Sequence, residues 1–286
     1  MRYAPRVATI SLAALAARLD DPDLRIVDVR WYLGQPGRGR TAYDAAHLPR
    51  ATYLDLDEDL SARGGAGRHP LPSPEAFARR LGSAGIGSQH LVVAYDDCGG
   101  WVAARLWWML EDLGHRRAAV LDGGLPAWQA AGLPLTTGIP RWPPTRPGLG
   151  SHWTRVIDRD ALRARLGSVV VLDARAAPRY RGEVEPIDPA AGHIPTALNA
   201  PTDGNLGPDG RFLPPEVLAR RFTALGAGER QVVTSCGSGV SACHHALAMR
   251  IAGLPDPLLY VGSWSDWSRA GYPVATGAEP GDPPPA

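Results

Sequence analysis

Lysine is absent from this chain of 286 residues, and all 30 of its basic residues are arginine. The absence excludes enzymes that form a Schiff base through lysine, enzymes that hold pyridoxal phosphate and nucleotide-binding P-loops, because each of them requires the lysine amine. Cysteine is scarce as well: its three residues are too few for a disulfide scaffold, and their odd number suggests free thiols. We therefore expect a reducing, cytoplasmic environment.

Long hydrophobic runs and an excess of charge of one sign are also missing. No apolar segment approaches the roughly 18 residues that argue for a membrane helix. The basic residues are balanced by 29 acidic ones, and the formal net charge of +1 leaves no basic patch of the kind that binds nucleic acid or anionic membranes. We therefore expect neither nucleic acid nor a membrane as a partner, and the chain length favours two domains.

The chain repeats itself internally. Four landmarks recur in the same order at offsets of 139–146 residues, namely the pairs Asp28/Asp173, His47/His193, Asp96/Cys236 and Trp128/Trp267. Such a series indicates a tandem duplication of a unit of about 120–130 residues. Since the aspartate that ends the first strand-like run and the histidine after it occur in both copies, we interpret both as structural residues.

The repeat and the proline content define the domain boundaries. We predict a first domain over residues 7–137, a Pro-rich linker over 138–153, a second domain over 154–276 and a disordered tail over 277–286. The linker cannot sustain a helix or a central strand because of its proline density. The start of the chain could pass for a weak signal peptide, but residues 7–29 match the start of the second copy and are therefore assigned to the folded domain.

Each copy contains three strand-like hydrophobic runs separated by helical stretches. The runs are IVDV (26–29), LVVAY (91–95) and AAVLD (118–122) in the first copy, and VVVLD (169–173), QVVTS (231–235) and PLLYV (257–261) in the second. This alternation predicts an α/β fold in which each domain has a mainly parallel sheet flanked by helices. Ligands of such sheets bind at the carboxyl ends of the strands, where Cys236 follows the run QVVTS.

The loop that begins at Cys236 has the features of a nucleophile site. Gly237 and Gly239 flank Ser238, so that backbone N–H groups can turn inward around one point. A helical stretch follows, and its amino terminus adds partial positive charge. Both effects favour the thiolate, which is the form of cysteine that attacks. We therefore predict Cys236 as the nucleophile, against the alternative of a buried structural cysteine.

The other two cysteines are weaker candidates. Cys243 lies two helical turns further along the chain and is interpreted as a small core residue, with a resolving thiol as the alternative. Cys98 stands two residues beyond Asp96, the position that matches Cys236 in the first copy. A metal site formed by Cys243, His244 and His245 is not expected, because adjacent histidines on a helix point about 100° apart and no CxxC or HxxxH spacing supports one.

Three motifs carry a resemblance to a known family. They are His-Ile-Pro at 193–195, Cys-Gly-Ser-Gly-Val-Ser-Ala-Cys at 236–243 and Gly-Ser-Trp-Ser-Asp-Trp at 262–267. Together with the duplication, they resemble the tandem rhodanese-domain sulfurtransferases over residues 7–275. The loop Cys-Gly-Ser-Gly-Val is similar to the 3-mercaptopyruvate sulfurtransferase branch, whereas the thiosulfate branch usually carries basic residues right after the cysteine.

The resemblance implies two tandem rhodanese-like domains, an inactive first one and a catalytic second one. It also implies a two-step reaction, in which the cysteine takes a sulfane sulfur from a small-molecule donor as a persulfide and passes it on. The expected acceptors are thiols such as thioredoxin or glutathione, or cyanide. No metal and no organic cofactor is implied.

The same resemblance assigns roles to catalytic residues. Cys236 is the persulfide-forming nucleophile, and Ser238 is the hydroxyl beside it. The segment 54–72 matches a stretch that brings an aspartate and a histidine from the first domain into the cleft. By that match Asp57 and His69 form a relay that steers proton transfer at the donor, with Asp55 or Asp59 as alternatives to Asp57.

For donor binding, the resemblance points to Arg179 and to the loop residues Gly237, Gly239 and Val240. Arg179 matches the arginine that binds the substrate carboxylate. Ile187 stands where several family members have a second arginine, and this departure puts the strength of carboxylate recognition in question.

Other functions remain to be distinguished from this one. A thiosulfate sulfurtransferase with the same persulfide mechanism is the main alternative, and a non-enzymatic rhodanese binding module is a remote one. A phosphatase or arsenate reductase with a cysteine loop is disfavoured, because Ala242 stands where the Cys-x5-Arg pattern of those enzymes requires arginine.

Overall fold

The structure of the protein is a computed structural model that describes residues 8–284. Within these residues the chain forms two compact units, each described by itself below. Unit 1 comprises residues 8–62, 72–154 and 208–212, and unit 2 comprises residues 63–71, 155–207 and 213–284. The sequence boundaries did not anticipate that residues 63–71 pack with unit 2 or that residues 208–212 pack with unit 1. Residue 7 of the predicted first domain and residues 285–286 of the predicted tail lie outside the described residues.

Unit 1 is a five-stranded sheet with helices around it, and all its strand pairings are parallel. Its strands, in chain order, are β1 (Thr9–Ile10), β2 (Leu24–Asp28), β3 (Ala51–Tyr53), β4 (Leu91–Tyr95) and β5 (Ala118–Leu121). Its helices are α1 (Leu12–Ala16), α2 (Arg38–Ala45), α3 (Pro74–Ser83), α4 (Trp101–Asp112) and α5 (Gly124–Ala130). The strand order across the sheet is β1-β5-β4-β2-β3.

Unit 2 repeats this arrangement. Its strands are β6 (Val156–Ile157), β7 (Val170–Asp173), β8 (Ala197–Asn199), β9 (Val232–Ser235) and β10 (Leu258–Tyr260). Its helices are α6 (Arg159–Arg165), α7 (Ala177–Tyr180), α8 (Pro215–Ala224), α9 (Ala242–Ile251) and α10 (Ser263–Trp267), and a 3-10 turn spans Thr202–Asn205. The order β6-β10-β9-β7-β8 is that of unit 1 shifted by five strands, with parallel pairing throughout. The predicted α/β fold and duplication are confirmed.

The central strands are buried along their whole length, as expected for a parallel sheet with both faces covered. Every residue of β7 and of β9 is buried, and so is every residue of β2. The same indole anchors each core: Trp128 donates to the Pro134 carbonyl and Trp267 to the Pro273 carbonyl, both at 2.9 Å. The sheets therefore bring their carboxyl-end loops to equivalent places in the two units.

The repeated aspartates and histidines are structural in both units. In unit 2, Asp173 accepts hydrogen bonds from Arg175 at 2.7–3.1 Å, and Arg175 also donates to the Gly192 carbonyl. His193 stacks on Tyr180 with ring centroids 3.7 Å apart. Unit 1 repeats these contacts with Asp28, Arg30, Ala46, His47 and Tyr43.

The Pro-rich linker and the tail both lack helices and strands, but the tail makes hydrogen bonds to unit 2. Residues 138–153, the predicted linker, contain no helix or strand. The tail was expected to be disordered, but the structure packs residues 277–284 against unit 2. The Glu279 carbonyl lies 3.1 Å from Nε2 of His193, and the Pro280 carbonyl accepts a hydrogen bond from the Thr196 amide. Prolines prevent regular structure in this tail, yet its carbonyls satisfy polar groups of the folded unit.

None of the helices in residues 8–284 is long and apolar enough to cross a membrane.

Candidate active site

Cys236 lies directly after β9, at the carboxyl end of the unit 2 sheet, and its side chain is buried. Its Sγ accepts a hydrogen bond from the Gly239 amide at 3.1 Å. Gly239 has a φ of +77°, and a side chain there would collide with the Val261 carbonyl oxygen. The loop before α9 therefore turns an amide toward the sulfur, which requires glycine at this position.

The base of the loop is fixed by the start of α10. The amides of Trp264 and Ser265 donate to the carbonyls of Cys236 and Gly237 at 3.0 and 2.9 Å. The Cys236 amide in turn donates to Oγ of Ser263 at 3.1 Å. Because three hydrogen bonds tie two consecutive residues of the loop, the backbone at Cys236 has little freedom.

His69 and Ser238 meet in unit 2, although their positions differ by 169 residues. Nδ1 of His69 lies 2.8 Å from Oγ of Ser238, and both side chains are buried. Segment 63–71, which carries His69, belongs to unit 2 in the fold. An imidazole is thus hydrogen-bonded to the hydroxyl two residues beyond Cys236, an arrangement that can move a proton.

The acidic segment before His69 belongs to unit 1. Asp57 accepts a hydrogen bond from the indole N–H of Trp31 at 2.7 Å. The two alternatives to Asp57 serve local structure: Asp55 accepts from the Asp57 amide at 2.8 Å, and Asp59 accepts from the Asp55 amide at 2.8 Å. A relay role for Asp57 stays a prediction.

Two arginines lie against Gly237. A Cβ atom built on Gly237 would be 3.0 Å from Nη2 of Arg68 and 3.4 Å from Nη1 of Arg179. Arg179 was expected near the donor from the sequence, whereas Arg68 was missed. The sequence feature that could have identified Arg68 is its position directly before His69 in the same segment. In the described residues neither of these two nitrogens has a hydrogen-bond acceptor.

Two buried carboxylates hold these arginines. The Asp188 side chain is fully buried and pairs with Arg68, with Arg179 at 3.4 Å and with Arg269 at 3.6 Å. Glu185 accepts from Nη2 of Arg179 at 2.7 Å. Although burial opposes the charge on Glu185, hydrogen bonds from the Asp188 amide and from Arg179 hold its pKa below its usual range.

Ile187 stands where the resemblance places a second arginine. Ile187 contributes its amide to Glu185 at 3.1 Å, and its side chain carries no charge. The second guanidinium beside Gly237 comes from Arg68 instead. Two arginines, Arg68 and Arg179, therefore lie at the loop, and Ile187 adds no charge to it.

The remaining predicted residues have structural surroundings. Val240 is buried, and its carbonyl accepts from the Cys243 amide at 3.0 Å at the start of α9. Cys243 is buried on α9, with Sγ 3.4 Å from the Gly239 carbonyl. Burial raises the pKa of the Cys98 thiol well above its usual range, which disfavours its thiolate. A role of Val240 in donor binding stays a prediction.

The histidines on α9 belong to a buried polar cluster. Nδ2 of Asn205 lies 3.0 Å from Nδ1 of both His244 and His245. Burial lowers the pKa of His245 to about 3, so it is neutral at pH 7, and its Nε2 lies 2.6 Å from the Ala200 carbonyl. Within residues 8–284, no group of three or more His, Cys, Asp or Glu side chains is arranged to hold a metal ion.

An α/β protein of two repeated units, with a buried cysteine in a glycine-rich loop at one sheet edge, has the architecture of the rhodanese-like domain. Residues 11–131 and 158–270 each match the rhodanese-like domain family. The chain belongs to this family.

Relatives and solved structures agree with that assignment. A probable 3-mercaptopyruvate sulfurtransferase of Pseudomonas aeruginosa is 50% identical over 272 residues, which cover 92% of this chain and 96% of the relative. A putative thiosulfate sulfurtransferase of Mycobacterium tuberculosis is 40% identical over 271 residues, 91% of this chain and 93% of the relative. The structure of a 3-mercaptopyruvate sulfurtransferase from Leishmania major superposes with a TM-score of 0.83 at 31% identity, over 95% of this chain and 76% of that one. The chain is accordingly a sulfurtransferase, a class of enzyme that acts on small sulfur donors.

Proposed function

We propose that this sulfurtransferase takes sulfur from 3-mercaptopyruvate, carries it as a persulfide on Cys236 and delivers it to a thiol or to cyanide. The observation that carries the proposal is the position of the Arg68 and Arg179 guanidinium groups against Gly237, one residue after the cysteine. A guanidinium binds a carboxylate through charge-assisted hydrogen bonds, often two at once. The donor carboxylate is then held beside the nucleophile.

The charge balance around the loop favours a donor with one negative charge. Arg68, Arg179 and Arg269 pair with two carboxylates, Glu185 and Asp188, so this cluster carries one positive charge in excess. The loop itself offers N–H groups and hydroxyls and no cation after Cys236. Thiosulfate is a compact dianion, and its second charge lacks a partner here. Losing two hydrogen bonds to a charged group costs on the order of 3–6 kcal/mol.

The proposed reaction balances without a cofactor. The Cys236 thiolate attacks the donor sulfur, and the bond from that sulfur to the donor carbon breaks. The electron pair stays on the carbon, which takes up a proton, so that pyruvate leaves. Cys236 retains the sulfur as a persulfide, which the acceptor thiolate or cyanide then removes.

His69 and Ser238 are the residues we assign to proton handling in this step. The support is their 2.8 Å contact next to the nucleophile loop. Ser238 can donate a hydrogen bond to developing negative charge, and the imidazole can supply or accept the proton that follows.

A thiosulfate sulfurtransferase is the second candidate, and one observation favours it. The Mycobacterium tuberculosis relative, 40% identical, is named a putative thiosulfate sulfurtransferase. The same two arginines would bind the sulfonate oxygens of thiosulfate. The two candidates therefore share the persulfide mechanism and differ in the donor.

The test is a comparison of both donors on the purified chain, with cyanide as the acceptor in each assay. We expect a higher kcat/KM for 3-mercaptopyruvate by roughly 10²–10⁴, the factor that corresponds to the lost contacts. Equal or better use of thiosulfate would replace the proposal with the second candidate. Absence of sulfur transfer from either donor would overturn both.

A further inference from the structure

Ser263, the first residue of α10, joins two backbone groups at the base of the Cys236 loop. Its hydroxyl accepts a hydrogen bond from the Cys236 amide at 3.1 Å and donates one to the Tyr260 carbonyl at 2.8 Å. The residue is fully buried, so water does not compete for these bonds. The Ser263 side chain is therefore bonded directly to the main chain of Cys236.

The backbone of Ser263 is in an unfavourable conformation for a residue with a side chain. Its φ is +51°, in the left-handed region that glycine adopts without steric cost. In the described residues, two other residues with side chains have a positive φ: Arg50 at 65° and Thr196 at 69°. Those two occupy equivalent turns in the two units, so their conformation belongs to the fold. The counterpart of Ser263 in unit 1, by contrast, is a glycine.

The residue equivalent to Ser263 in unit 1 is Gly124. Gly124 has a φ of +56°, so both units use the same conformation at this point. The following amide makes the same bond in each unit: Leu125 donates to the Asp96 carbonyl at 2.9 Å and Trp264 to the Cys236 carbonyl at 3.0 Å. The fold thus needs the conformation but not the hydroxyl.

We propose that Ser263 is a positioning residue for Cys236. A residue with a side chain stands where glycine would be relaxed, and what it adds is a hydroxyl on the cysteine amide in the unit that has the cysteine. Holding that amide fixes the Cα–Cβ direction, and with it the 3.1 Å bond from the Gly239 amide to Sγ. The inference rests on the proposed role of Cys236 as the nucleophile.

This role predicts a specific kinetic signature. The hydroxyl of Ser263 makes no hydrogen bond to Arg68 or Arg179, so its loss leaves donor binding in place. The rate of sulfur transfer depends on the orientation of Sγ, and we therefore expect this rate to fall. Ser263→Gly is the informative variant, because Gly124 demonstrates that glycine is compatible with the conformation.

The experiment compares Ser263→Gly and Ser263→Ala with the unmodified chain in steady-state sulfur transfer to cyanide. We expect kcat to fall about tenfold or more in both, which corresponds to at least about 1.4 kcal/mol in activation free energy, with KM for the donor within about twofold. Circular dichroism at the assay temperature establishes that each variant is folded. Ser268→Ala is the matched control, since the Ser268 hydroxyl is buried without a hydrogen-bond partner, and it should retain kcat and KM.

Unchanged kcat in folded Ser263→Gly would overturn the inference. So would a fall in kcat accompanied by an equal rise in KM, because that pattern indicates general damage to the site. Failure of the proposed function looks different: the unmodified chain would then prefer thiosulfate or use neither donor. The Ser263 comparison is made with whichever donor the unmodified chain uses, and a chain that uses neither donor overturns this inference as well.

Discussion

Asp96 occupies in unit 1 the position that Cys236 occupies in unit 2, and the loop around it binds its carboxylate. The amides of Cys98 and Gly100 donate to one oxygen at 3.0 and 2.8 Å, and those of Val102 and Ala103 donate to the other at 2.9 Å each. In unit 1 the loop after β4 thus points its backbone amides at one place, and the Asp96 carboxylate occupies that place. In unit 2 the same position holds Sγ of Cys236, which accepts a hydrogen bond from the Gly239 amide at 3.1 Å.

The first prediction concerns which cysteine carries the sulfur. Incubation with the donor should add one sulfur, about 32 Da in the intact mass, and a reductant should remove it. Cys236→Ser should abolish both the adduct and turnover, because a serine hydroxyl is not ionised at neutral pH. Cys98→Ser and Cys243→Ser are the controls and should retain activity. A sulfur adduct on Cys236→Ser would contradict the assignment.

The second prediction concerns donor binding by the two arginines. Arg68→Ala and Arg179→Ala should each raise KM for 3-mercaptopyruvate by roughly 10–150-fold, since a hydrogen bond to a charged group contributes about 1.5–3 kcal/mol. Arg181→Ala is the matched control, because Arg181 pairs with Glu183 at the surface. Steady-state kinetics with both donors measures the effect. An unchanged KM in Arg68→Ala would show that Arg179 alone binds the carboxylate.

How far the sequence predicts the fold depends on the length of each element. The strands β2, β4, β7 and β9 were predicted because hydrophobic runs of four or five residues are visible without any tertiary information. The strands β1 and β6 have two residues each, too few for a pattern, and they exist because they pair with β5 and β10. Their formation is decided by the sheet and not by local sequence.

In the candidate site, too, residues marked by local sequence were predicted, whereas residues that depend on tertiary contacts were missed. Cys236 was predicted because a strand, a glycine loop and a helix are contiguous in the sequence. Arg68 and Asp188 were missed because they meet only in the fold, 120 residues apart in the sequence. Glu185 lies six residues from Arg179, but a single acidic residue in a loop does not indicate which group it pairs with. The tail was misread for the same reason: its composition indicates disorder, while its carbonyls meet buried polar groups of unit 2.

The third prediction concerns the pH dependence of stability through Glu185. The folded pKa of Glu185 lies below its usual value of 4.5, so ionised Glu185 stabilises the fold at pH 7, and that contribution is lost as the pH falls through the folded pKa. Glu185→Gln should lower the free energy of unfolding at pH 7 by about 1.5 kcal/mol. Urea unfolding at several pH values should show the difference shrinking below pH 4.5. A difference that is constant from pH 7 to pH 3 would contradict the ionic role.

The last prediction concerns the contact between His69 and Ser238, whose side chains lie 2.8 Å apart. His69→Ala should lower kcat by roughly 10²–10⁴, the usual contribution of a positioned acid or base. If the two residues act as one relay, Ser238→Ala should lower kcat by a comparable factor. The kcat of the double variant should then be only slightly lower than that of either single variant, because either substitution alone already interrupts the proton transfer. His152→Ala is the control, since His152 is exposed and should not affect turnover. Effects that multiply in the double variant would mean that the histidine and the serine contribute separately, with Ser238 acting on the sulfur and His69 on the donor.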